Sequence, residues 1–468
     1  MANTSLETIR NFARKNGFVY PGSEIYGGLA NTWDFGPKGV LLKENIKKAW
    51  KQHFVYERTD MLELDAGILM NQKVWEASGH TAGFSDCLVD DKSSKHRFRA
   101  DHLVEDQLGI DVEGKSPEEI TELIRSNNLI NPITKKPGDW TEARYMNLMF
   151  ETNRDKIGND PAQRIYLRPE TAQGMFVQFK NVVQTERPKM PFGLAQIGKA
   201  FRNEITPGNF IFRVVEFEQM EIEYFIAPPK VKDDWNIPFE EFLTSQQEFL
   251  TEKLNFNPES FKLKEHSPDK LSHYSKRTVD IEYNFPFGFS ELTGLAYRTD
   301  FDLNQHQTHS GQKMEYQDPI TNEKYIPHVL EPTVGVDRLF LAALCEYYCE
   351  EEIQNEETTE TRIVMKFPFN IAPVKIAILP LMKKDGLKEI AEEIHRDLRK
   401  NGFSADYDES GSIGKRYRRQ DEIGTPWCLV VDYQTKEDNT VTLRHRDTME
   451  QVRVQINDVQ QWLSESKF

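Results

Sequence analysis

Cysteine is scarce in this chain of 468 residues, which has only Cys87, Cys345, Cys349 and Cys428. They form no Cys-x-x-Cys pair, so we expect neither a disulfide framework nor a zinc site, and a reducing cytoplasm is the compartment that fits best. Cys345 and Cys349 are separated by one helical turn. Without a second pair nearby, we expect them to be buried structural residues rather than metal ligands.

Long apolar runs are also lacking. No stretch approaches the ~20 apolar residues of a membrane-spanning helix, so no membrane partner is expected. The first 18 residues have no apolar segment of the kind found in export signals. Instead, Leu6, Ile9, Phe12 and Ala13 have the spacing of a short amphipathic helix.

Basic charge is in deficit, since 59 Lys and Arg against 75 Asp and Glu give a net charge of −16. Because phosphate binding requires local Lys and Arg, this balance excludes a diffuse nucleic-acid-binding surface. From residue 370 onward, 16 basic residues nearly balance 17 acidic ones. Two basic knots in that region, residues 415–419 and 444–446, are either sites of specific RNA contact or solvated loops.

The order of strand-like and helical segments predicts two domains. Residues 1–365 have long strand-like runs with helices between them, which favours an α+β fold with an antiparallel sheet and flanking helices. Within them, residues 90–164 and 227–276 are predicted insertions. Residues 370–468 alternate strands and helices, which favours a small α/β domain with a mostly parallel sheet. The acidic stretch 350–362 is predicted to be a boundary or an exposed excursion.

A predicted β-hairpin from Gly198 to Phe225, with its turn at residues 206–209, carries an unusual set of charges. Because side chains alternate across a strand, Arg202 and Glu204 share one face. One face of the second strand has Arg213, Phe217, Gln219, Glu221 and Glu223. Arginine suits phosphate oxygens, an aromatic ring suits a base, and a carboxylate accepts from amino groups. This set of side chains indicates a binding site for a nucleotide together with a positively charged ligand. The alternative is a solvent-exposed strand face with cross-strand ion pairs.

Three other segments favour the interpretation as a nucleotide-binding site over that of a solvent-exposed strand face. Glu170, in RPETAQG, stands where a strand-like run gives way to a helix. Glu291 lies in the largely apolar run FSELTGL, where an unpaired acid would be unfavourable. Arg338, in EPTVGVDRLF, lies in the first turn of an amphipathic helix, where a cation is disfavoured but a phosphate is favoured.

These motifs resemble those of the class II aminoacyl-tRNA synthetases. Residues 201–204 (Phe-Arg-Asn-Glu), a loop, and then Arg213 and Phe217 are similar to motif 2. Residues 335–338 leading into a helix are similar to motif 3. Residues 38–65, a helix followed by a strand, resemble motif 1, which lies at the dimer interface in that class.

The strings RPETAQG, FRNEITPGNFIFR, EFEQMEIEYF and EPTVGVDR together resemble the dimeric glycyl branch of the class. The resemblance runs from near Tyr20 to the end of the chain. Motif 3 departs from the general Gly-x-Gly-x-Gly-x-x-Arg pattern, since Glu331 and Thr333 replace its first two glycines. That departure is the one expected in the glycyl branch.

The resemblance implies an ATP site. Arg202 would bind the α-phosphate, and Arg213 and Arg338 would hold the γ-phosphate end. Glu204 would accept from the adenine amino group and Phe217 would stack on the ring. The implied catalytic residues are Arg202, Glu291 and Arg338, with Glu291 also helping to bind Mg²⁺. The full implied ATP set is Arg202, Asn203, Glu204, Phe212, Arg213, Phe217, Glu291, Leu292, Gly335 and Arg338.

The resemblance also implies a glycine site. Three carboxylates, those of Glu170, Glu221 and Glu331, would surround the ammonium, Thr333 would narrow the pocket, and Arg99 would lie on the carboxylate side. The full implied set is Arg99, Glu170, Gln219, Glu221, Glu331 and Thr333. Because glycine offers no side chain, it has to be selected by exclusion of larger amino acids, and no editing domain is expected.

The implied activity is activation of glycine to glycyl-adenylate and transfer to the 3′ end of tRNA(Gly). The implied protein is a cytoplasmic homodimer whose residues 370–468 bind the anticodon. One rival is a catalytically inactive synthetase-like RNA-binding or polymerase accessory protein, which loss of Arg202, Glu204, Phe217 or Arg338 would have favoured. A class II synthetase for serine, threonine or proline is the other. This interpretation leaves Glu216, Glu218 and Glu223 without a role.

Overall fold

The computed structural model describes residues 4–112, 114–153, 164–204, 208–231, 233–268, 271–272, 274–354 and 359–465. Its α-helices are α1 (Leu6–Lys15), α2 (Pro37–Lys51), α3 (Gln72–Ala77), α4 (His80–Gly83), α5 (Ala100–Leu108), α6 (Pro117–Ser126), α7 (Ala172–Glu186), α8 (Asn236–Glu248), α9 (Phe301–Ser310), α10 (Val336–Tyr347), α11 (Leu387–Lys400), α12 (Ile413–Ile423), α13 (Thr435–Asp438) and α14 (Val459–Glu465). Single π-helical turns continue α2 and α8 at Gln52–Tyr56 and Phe249–Lys253.

The β-strands of the same residues are β1 (Val19–Pro21), β2 (Trp33–Phe35), β3 (Met61–Glu63), β4 (Ser85–Asp90), β5 (Arg97–Arg99), β6 (Arg144–Asn147), β7 (Glu151–Asn153), β8 (Arg164–Tyr166), β9 (Phe192–Phe201), β10 (Glu216–Ile226), β11 (Phe261–Glu265), β12 (Arg277–Phe285), β13 (Gly288–Thr299), β14 (Tyr316–Gln317), β15 (Lys324–Tyr325), β16 (His328–Gly335), β17 (Tyr348–Gln354), β18 (Thr359–Met365), β19 (Ile376–Pro380), β20 (Ala405–Tyr407), β21 (Trp427–Val431), β22 (Thr440–His445) and β23 (Gln451–Gln455).

A seven-stranded sheet in the order β11-β12-β13-β16-β10-β9-β3 forms the centre of the N-terminal part. Its neighbours are antiparallel except β3 and β9, which confirms the predicted α+β class. β9 and β10 form the predicted hairpin, with Phe201 opposite Glu216. The strands are shorter than predicted, so Arg202 and Arg213 lie in the connection between them. Residues 206 and 207 of the predicted turn lie outside the described residues.

Alternation along β10 separates two faces of the sheet. Met220, Ile222 and Tyr224 are buried in the main apolar core, to which α2, α8 and α10 contribute. On the opposite face, Phe225 joins a second apolar cluster built by α7 and α9. Glu221 and Glu223 precede Phe225 on that face, so the polar part of β10 leads directly into a packed apolar region.

The two predicted insertions have different structures. Residues 90–164 include most of a compact unit in which β5, β4 and β6 form a sheet and α5 and α6 bury their own apolar cluster. In residues 227–276, by contrast, Phe239, Phe242 and Leu243 of α8 are part of the main core. This helix is therefore a component of the core rather than an excursion from it, because its apolar face packs on the sheet.

The described part of the acidic stretch 350–362, predicted to be a boundary or an exposed excursion, lies in an antiparallel hairpin of β17 and β18 in which Glu350, Glu352 and Thr361 are exposed. Arg362 is only 2% exposed; its Nε donates to Asp421 at 3.0 Å and its Nη2 to the Arg446 carbonyl at 2.7 Å. Sequence composition did not reveal these long-range partners. Cys345 and Cys349 are free and half-buried rather than buried, and α10 ends between them.

The C-terminal residues form a five-stranded sheet in the order β20-β19-β21-β22-β23. β19 is parallel to β20 and β21, whereas β21-β22 and β22-β23 are antiparallel. The predicted mostly parallel sheet is thus mixed, because β22 and β23 follow as a hairpin with no crossover helix. Within the described ranges, no helix has the length and apolar character needed to cross a membrane.

Candidate active site

A cavity of about 250 Å³ opens beside the β9–β10 connection and the start of α10. It brings together most of the residues that the sequence singled out. From the implied ATP set it is lined by Arg202, Glu204, Phe212, Arg213, Phe217, Glu291, Leu292, Gly335 and Arg338. From the implied glycine set it is lined by Glu170, Gln219, Glu221, Glu331 and Thr333.

Arg202 lies between two aromatic rings. Its guanidinium carbon is 5.3 Å from the ring centre of Phe84 and 5.4 Å from that of Phe217. Its Nε donates to the Pro169 carbonyl at 3.0 Å. Ring faces and a carbonyl orient a guanidinium without neutralising it, so this arginine is suited to bind an anion in the cavity.

Two more arginines lie at the same end. Arg338 Nη1 is 3.1 Å from Glu291 Oε2, and its guanidinium carbon is 4.5 Å from the ring centre of Phe212. The charge of Arg338 is the main reason that the pKa of Glu291 is lowered. Arg213 Nε lies 3.9 Å from Glu204 Oε2, a loose ion pair. We refer to Arg202, Arg213 and Arg338 as the arginine end of the cavity.

Glu221 is the most thoroughly hydrogen-bonded carboxylate at the opposite end. Its Oε2 accepts from the Thr171 amide at 2.9 Å and from the Thr171 hydroxyl. Its Oε1 accepts from Gln219 Nε2 at 2.8 Å and from the Thr333 hydroxyl at 3.3 Å. Burial and the nearby charge of Glu170 raise the pKa of Glu221, while the bonds from Thr171 oppose that rise.

Glu170 stands just before α7 and is held from two sides. Gln173 Nε2 donates to Oε1 at 3.1 Å, and His80 Nε2 lies 3.2 Å from Oε2. The other ring nitrogen of His80 is 2.8 Å from the Ser78 hydroxyl. Burial opposes ionisation of Glu170, but His80 and Arg298 outweigh it and lower the pKa of this carboxyl.

Arg298 is a site residue that sequence reasoning missed. It lies on β13, is 1% exposed, and lines the same cavity. Its Nη1 donates to Glu331 Oε1 at 2.7 Å, while its Nε and Nη2 donate to Asp302 at 2.8 and 2.9 Å. The available signal was an arginine in the largely apolar run LTGLAYR with an aspartate four residues later. We refer to Glu170, Glu221, Glu331 and Arg298 as the carboxylate end.

Two predicted site residues lie elsewhere. Arg99 Nη2 is 2.6 Å from Asp101 and its Nη1 is 3.3 Å from Asp86, so two carboxylates of the insertion already hold it. Arg99 does not line the main cavity, although the charge of Glu204, which does, acts on it, and its placement at a glycine carboxylate stays a prediction. Asn203 lines a neighbouring cavity, and its amide donates to the Leu148 carbonyl at 2.7 Å. The connection after β9 turns this residue towards the insertion rather than towards the site.

Glu218, which had no predicted role, belongs to the packing behind the site. Lys43 Nζ is 3.1 Å from Glu218 and 2.8 Å from Asp337, and Lys47 Nζ is 3.0 Å from Glu218. Asp337 also accepts from the Glu218 amide at 2.7 Å. These contacts tie α2, β10 and α10 together. Glu216 pairs with Lys199 on the neighbouring strand.

The two basic knots of the C-terminal part differ in exposure. In residues 415–419, Lys415 and Arg419 are exposed, whereas Arg416 is 3% exposed and donates to the Pro380 carbonyl at 2.6 Å. In residues 444–446, Arg444 donates to Asp421 at 3.1 Å, and Arg446 donates to the carbonyls of Phe367 and Gly424, both at 2.9 Å. Arg416, Arg444 and Arg446 are thus used within the fold, while an RNA contact by the exposed part of residues 415–419 stays a prediction.

No group of three or more His, Cys, Asp and Glu side chains in the described ranges is arranged to hold a metal ion. At the arginine end, Glu291 contributes the carboxylate that pairs with Arg338. A single carboxylate suits Mg²⁺, which usually binds through one or two carboxylates together with substrate phosphates.

Comparisons with known families agree with this architecture. The model for the tRNA synthetase class II core domain (G, H, P, S and T) matches residues 152–348, and the model for the anticodon binding domain matches residues 375–466. The antiparallel core, its charged cavity and the C-terminal domain thus define the class as that of the class II tRNA synthetases.

Individual relatives narrow the class to one family. The glycine–tRNA ligases of Caldanaerobacter subterraneus subsp. tengcongensis, Alkaliphilus oremlandii and Staphylococcus epidermidis are 52%, 51% and 50% identical to this chain. In each case the alignment covers 98% of both chains. The chain belongs to the glycine–tRNA ligase family, which confirms the resemblance read from the motifs.

Proposed function

We propose that this protein joins glycine to the 3′ end of tRNA(Gly) in an ATP-dependent reaction with glycyl-adenylate as the intermediate. The observation that carries the proposal is one cavity whose lining includes both the arginines 202, 213 and 338 and the carboxylates of Glu170, Glu221 and Glu331. ATP brings phosphates and glycine brings an ammonium, so the two ends are complementary in charge to the two substrates. Family membership supports the same reaction.

The proposed ATP site is the arginine end. Arg202 binds the α-phosphate and stabilises the charge that develops there during attack. Arg213 and Arg338 hold the γ-phosphate end, Glu204 accepts from the adenine amino group, and Phe217 stacks on the ring. Glu291 would be the carboxylate that holds Mg²⁺ if the ion is bound together with the phosphates of ATP.

Chemistry proceeds in two displacements. A carboxylate oxygen of glycine attacks the α-phosphorus of ATP, the bond from that phosphorus to the bridging oxygen breaks, and pyrophosphate leaves. A ribose hydroxyl of the terminal tRNA nucleotide then attacks the carbonyl carbon of glycyl-adenylate, loses its proton, and AMP leaves. Neither displacement needs a protein nucleophile, so the protein contributes position and electrostatic stabilisation.

The proposed glycine site is the carboxylate end. Glu170, Glu221 and Glu331 receive the ammonium, and Arg298 fixes Glu331 in place. Thr333 donates to Glu221 and occupies the space beside it. Because these groups are buried and hydrogen-bonded to one another, a larger side chain would have to displace one of them. This favours glycine over serine, threonine or proline.

We propose a homodimer on the evidence of exposed apolar side chains between β1 and α2 and in the first turn of α2. Ile25 is 88% and Tyr26 is 87% exposed, and Leu29 and Val40 are also exposed. Replacement of Ile25 and Tyr26 by aspartate should convert the dimer to a monomer in light scattering. A wild-type chain that is monomeric at micromolar concentration would contradict this assembly.

We propose that residues 370–468 bind the anticodon and that the protein acts in the cytoplasm, in keeping with its four free cysteines.

The test of the function is charging of a tRNA(Gly) transcript with labelled glycine. Label should become precipitable with the tRNA only when ATP is present, and a transcript with an altered anticodon should be charged poorly. Absence of charging by the intact protein would contradict the proposal and favour the non-catalytic RNA-binding alternative.

A further inference from the structure

Glu223 is a buried carboxyl to which the proposed reaction assigns no role. It has no exposed surface, and neither oxygen has a hydrogen-bond partner among the described residues. It follows Glu221 by two residues on β10, so both point to the same face of the sheet. The register that pairs Glu221 with Thr333 and Tyr224 with Leu330 places Glu223 opposite Glu331 on β16. Glu223 therefore lies next to the carboxylate end without lining the cavity.

The charges around Glu223 are mostly negative. Glu221 precedes it on β10, Glu331 faces it from β16, and Asp302 lies on α9. The only cation among the groups acting on it is Arg298 of β13, whose donors already serve Glu331 and Asp302. On β9, its cross-strand neighbour is the apolar Leu194.

Beyond the charged groups that surround Glu223, further titratable side chains lie on the same side of the sheet. Glu170 lies before α7 and pairs with His80, and His306 of α9 is 2.8 Å from Gln173 of α7. Neither histidine contacts Glu223 within the described part of the chain. Among the described residues, therefore, no cation contacts Glu223 directly, and Arg298 acts on it only through its charge.

An ionised carboxylate in this position would be strongly destabilising, because burial removes its hydration and its neighbours repel it. Burial first, and then the charge of Glu331, raise the pKa of Glu223 well above its ordinary value. Burial also raises the pKa of Glu331, to about 8, but Arg298 contacts Glu331 directly and opposes that rise, whereas no described cation contacts Glu223. Of these two carboxyls, Glu223 is the one that retains a proton, and a neutral carboxyl has an O–H donor.

We propose that Glu223 is a positioning residue that remains a neutral carboxylic acid and donates its O–H to the carboxylate of Glu331. Arg298 holds one oxygen of Glu331 and Glu223 holds the other, so the carboxylate is fixed to meet the substrate ammonium. A neutral Glu223 also keeps one negative charge away from the anionic parts of ATP and glycine. The inference rests on the proposed function of this site.

The test compares Glu223→Gln with Glu223→Leu in glycine-dependent ATP–pyrophosphate exchange. Glutamine retains a neutral donor, so its KM for glycine should stay within about two-fold of the wild-type value. Leucine removes the donor and should raise that KM by about 10-fold or more, as expected for a lost hydrogen bond to a charged group. The KM for ATP should not change in either variant. Glu216→Gln, on the same strand but outside the cavity, is the matched control.

The protonation state of Glu223 provides a second test of the inference. In the wild type, the KM for glycine should rise at alkaline pH as the proton of Glu223 is lost, whereas Glu223→Gln should lack that rise. Infrared difference spectra at neutral pH should show a carboxylic-acid C=O stretch in the wild type that is missing from Glu223→Gln. An ionised Glu223 in these spectra, or a glutamine variant as impaired as the leucine variant, would overturn the inference. Loss of glycine-dependent exchange in the wild type would instead overturn the proposed function itself.

Discussion

The two ends of the cavity are built in opposite ways. At the arginine end, Arg202 is held by ring faces and a carbonyl, and Arg213 has only a loose partner 3.9 Å away. At the carboxylate end, Arg298 is 1% and Glu221 3% exposed, and each makes several hydrogen bonds to neighbouring side chains. The arginine end can therefore offer positive charge to a ligand. The side chains of the carboxylate end, in contrast, are already hydrogen-bonded to one another without a ligand.

This difference matches what each proposed substrate requires. A triphosphate brings several charges and leaves as pyrophosphate, so arginines that lack full partners can bind it and release it. Glycine brings one small ammonium, and discrimination against larger amino acids depends on walls that do not move. The buried side chains of the carboxylate end provide such walls. Their burial costs desolvation energy, which the hydrogen bonds among them offset.

The largest expected effect is on folding stability at the carboxylate end. Arg298→Met would leave Glu331 and Asp302 buried without their cation and should lower the free energy of unfolding by about 3–5 kcal/mol. Arg338→Met, at the arginine end, should lower it by less than about 1 kcal/mol because its ion pair is partly exposed. Urea denaturation measures both, and equal losses would contradict the contrast between the two ends.

Catalysis should be most sensitive at the arginine end. Arg202→Ala should reduce the rate of glycine-dependent pyrophosphate exchange about 10²- to 10³-fold, as removal of a transition-state donor does. The fold should be retained, since the hydrogen bond of Arg202 goes to the Pro169 carbonyl rather than to a buried carboxylate. Arg125→Ala, an exposed arginine on α6, serves as the control. Exchange at the wild-type rate in Arg202→Ala would remove this residue from the site.

Substrate binding should respond selectively at the carboxylate end. Glu221→Gln keeps the shape but removes the charge, and it should raise the KM for glycine by about 10- to 100-fold, the range expected for a lost charge-assisted bond. The KM for ATP should change little. Steady-state kinetics with each substrate varied in turn separates the two constants, and an unchanged KM for glycine would exclude Glu221 from the pocket.

The smallest effect should come from His80, which touches the pocket only through Glu170. His80→Asn should raise the KM for glycine by about five-fold, roughly the value of one hydrogen bond. In the wild type the pKa of Glu170 is lowered, so its ionised form persists as the pH falls. Without His80 that pKa moves up, and the KM should rise further between about pH 7 and about pH 5. A pH profile parallel to that of the wild type would contradict this role.

The sequence predicted the arginine end better than the carboxylate end. Arg202, Arg213 and Arg338 lie in local motifs, where strand, turn and helix start are readable from spacing. Arg298 and His80 act through partners more than 30 residues away, such as Glu331 and Glu170, and spacing does not encode such pairs.

Charge patterns outside the site predicted exposure only in part. Residues 415–419 and 444–446 suggested a surface for RNA; Lys415 and Arg419 are exposed, but Arg416, Arg444 and Arg446 bind carbonyls or Asp421. In the acidic stretch 350–362, Glu350, Glu352 and Thr361 are exposed, but Arg362 is buried. The partners of the buried arginines are supplied by distant elements, which local composition does not reveal. The α+β class was predictable because it depends on the order of elements rather than on pairings.

The most direct measurement is ATP–pyrophosphate exchange by the intact protein with each of the twenty amino acids in turn. A preformed carboxylate end beside an arginine end that binds ATP predicts strong exchange with glycine and, for alanine and serine, kcat/KM lower by about 10²-fold or more. Exchange with a larger amino acid at a comparable kcat/KM, or no exchange with any amino acid, would contradict the assignment of the two ends.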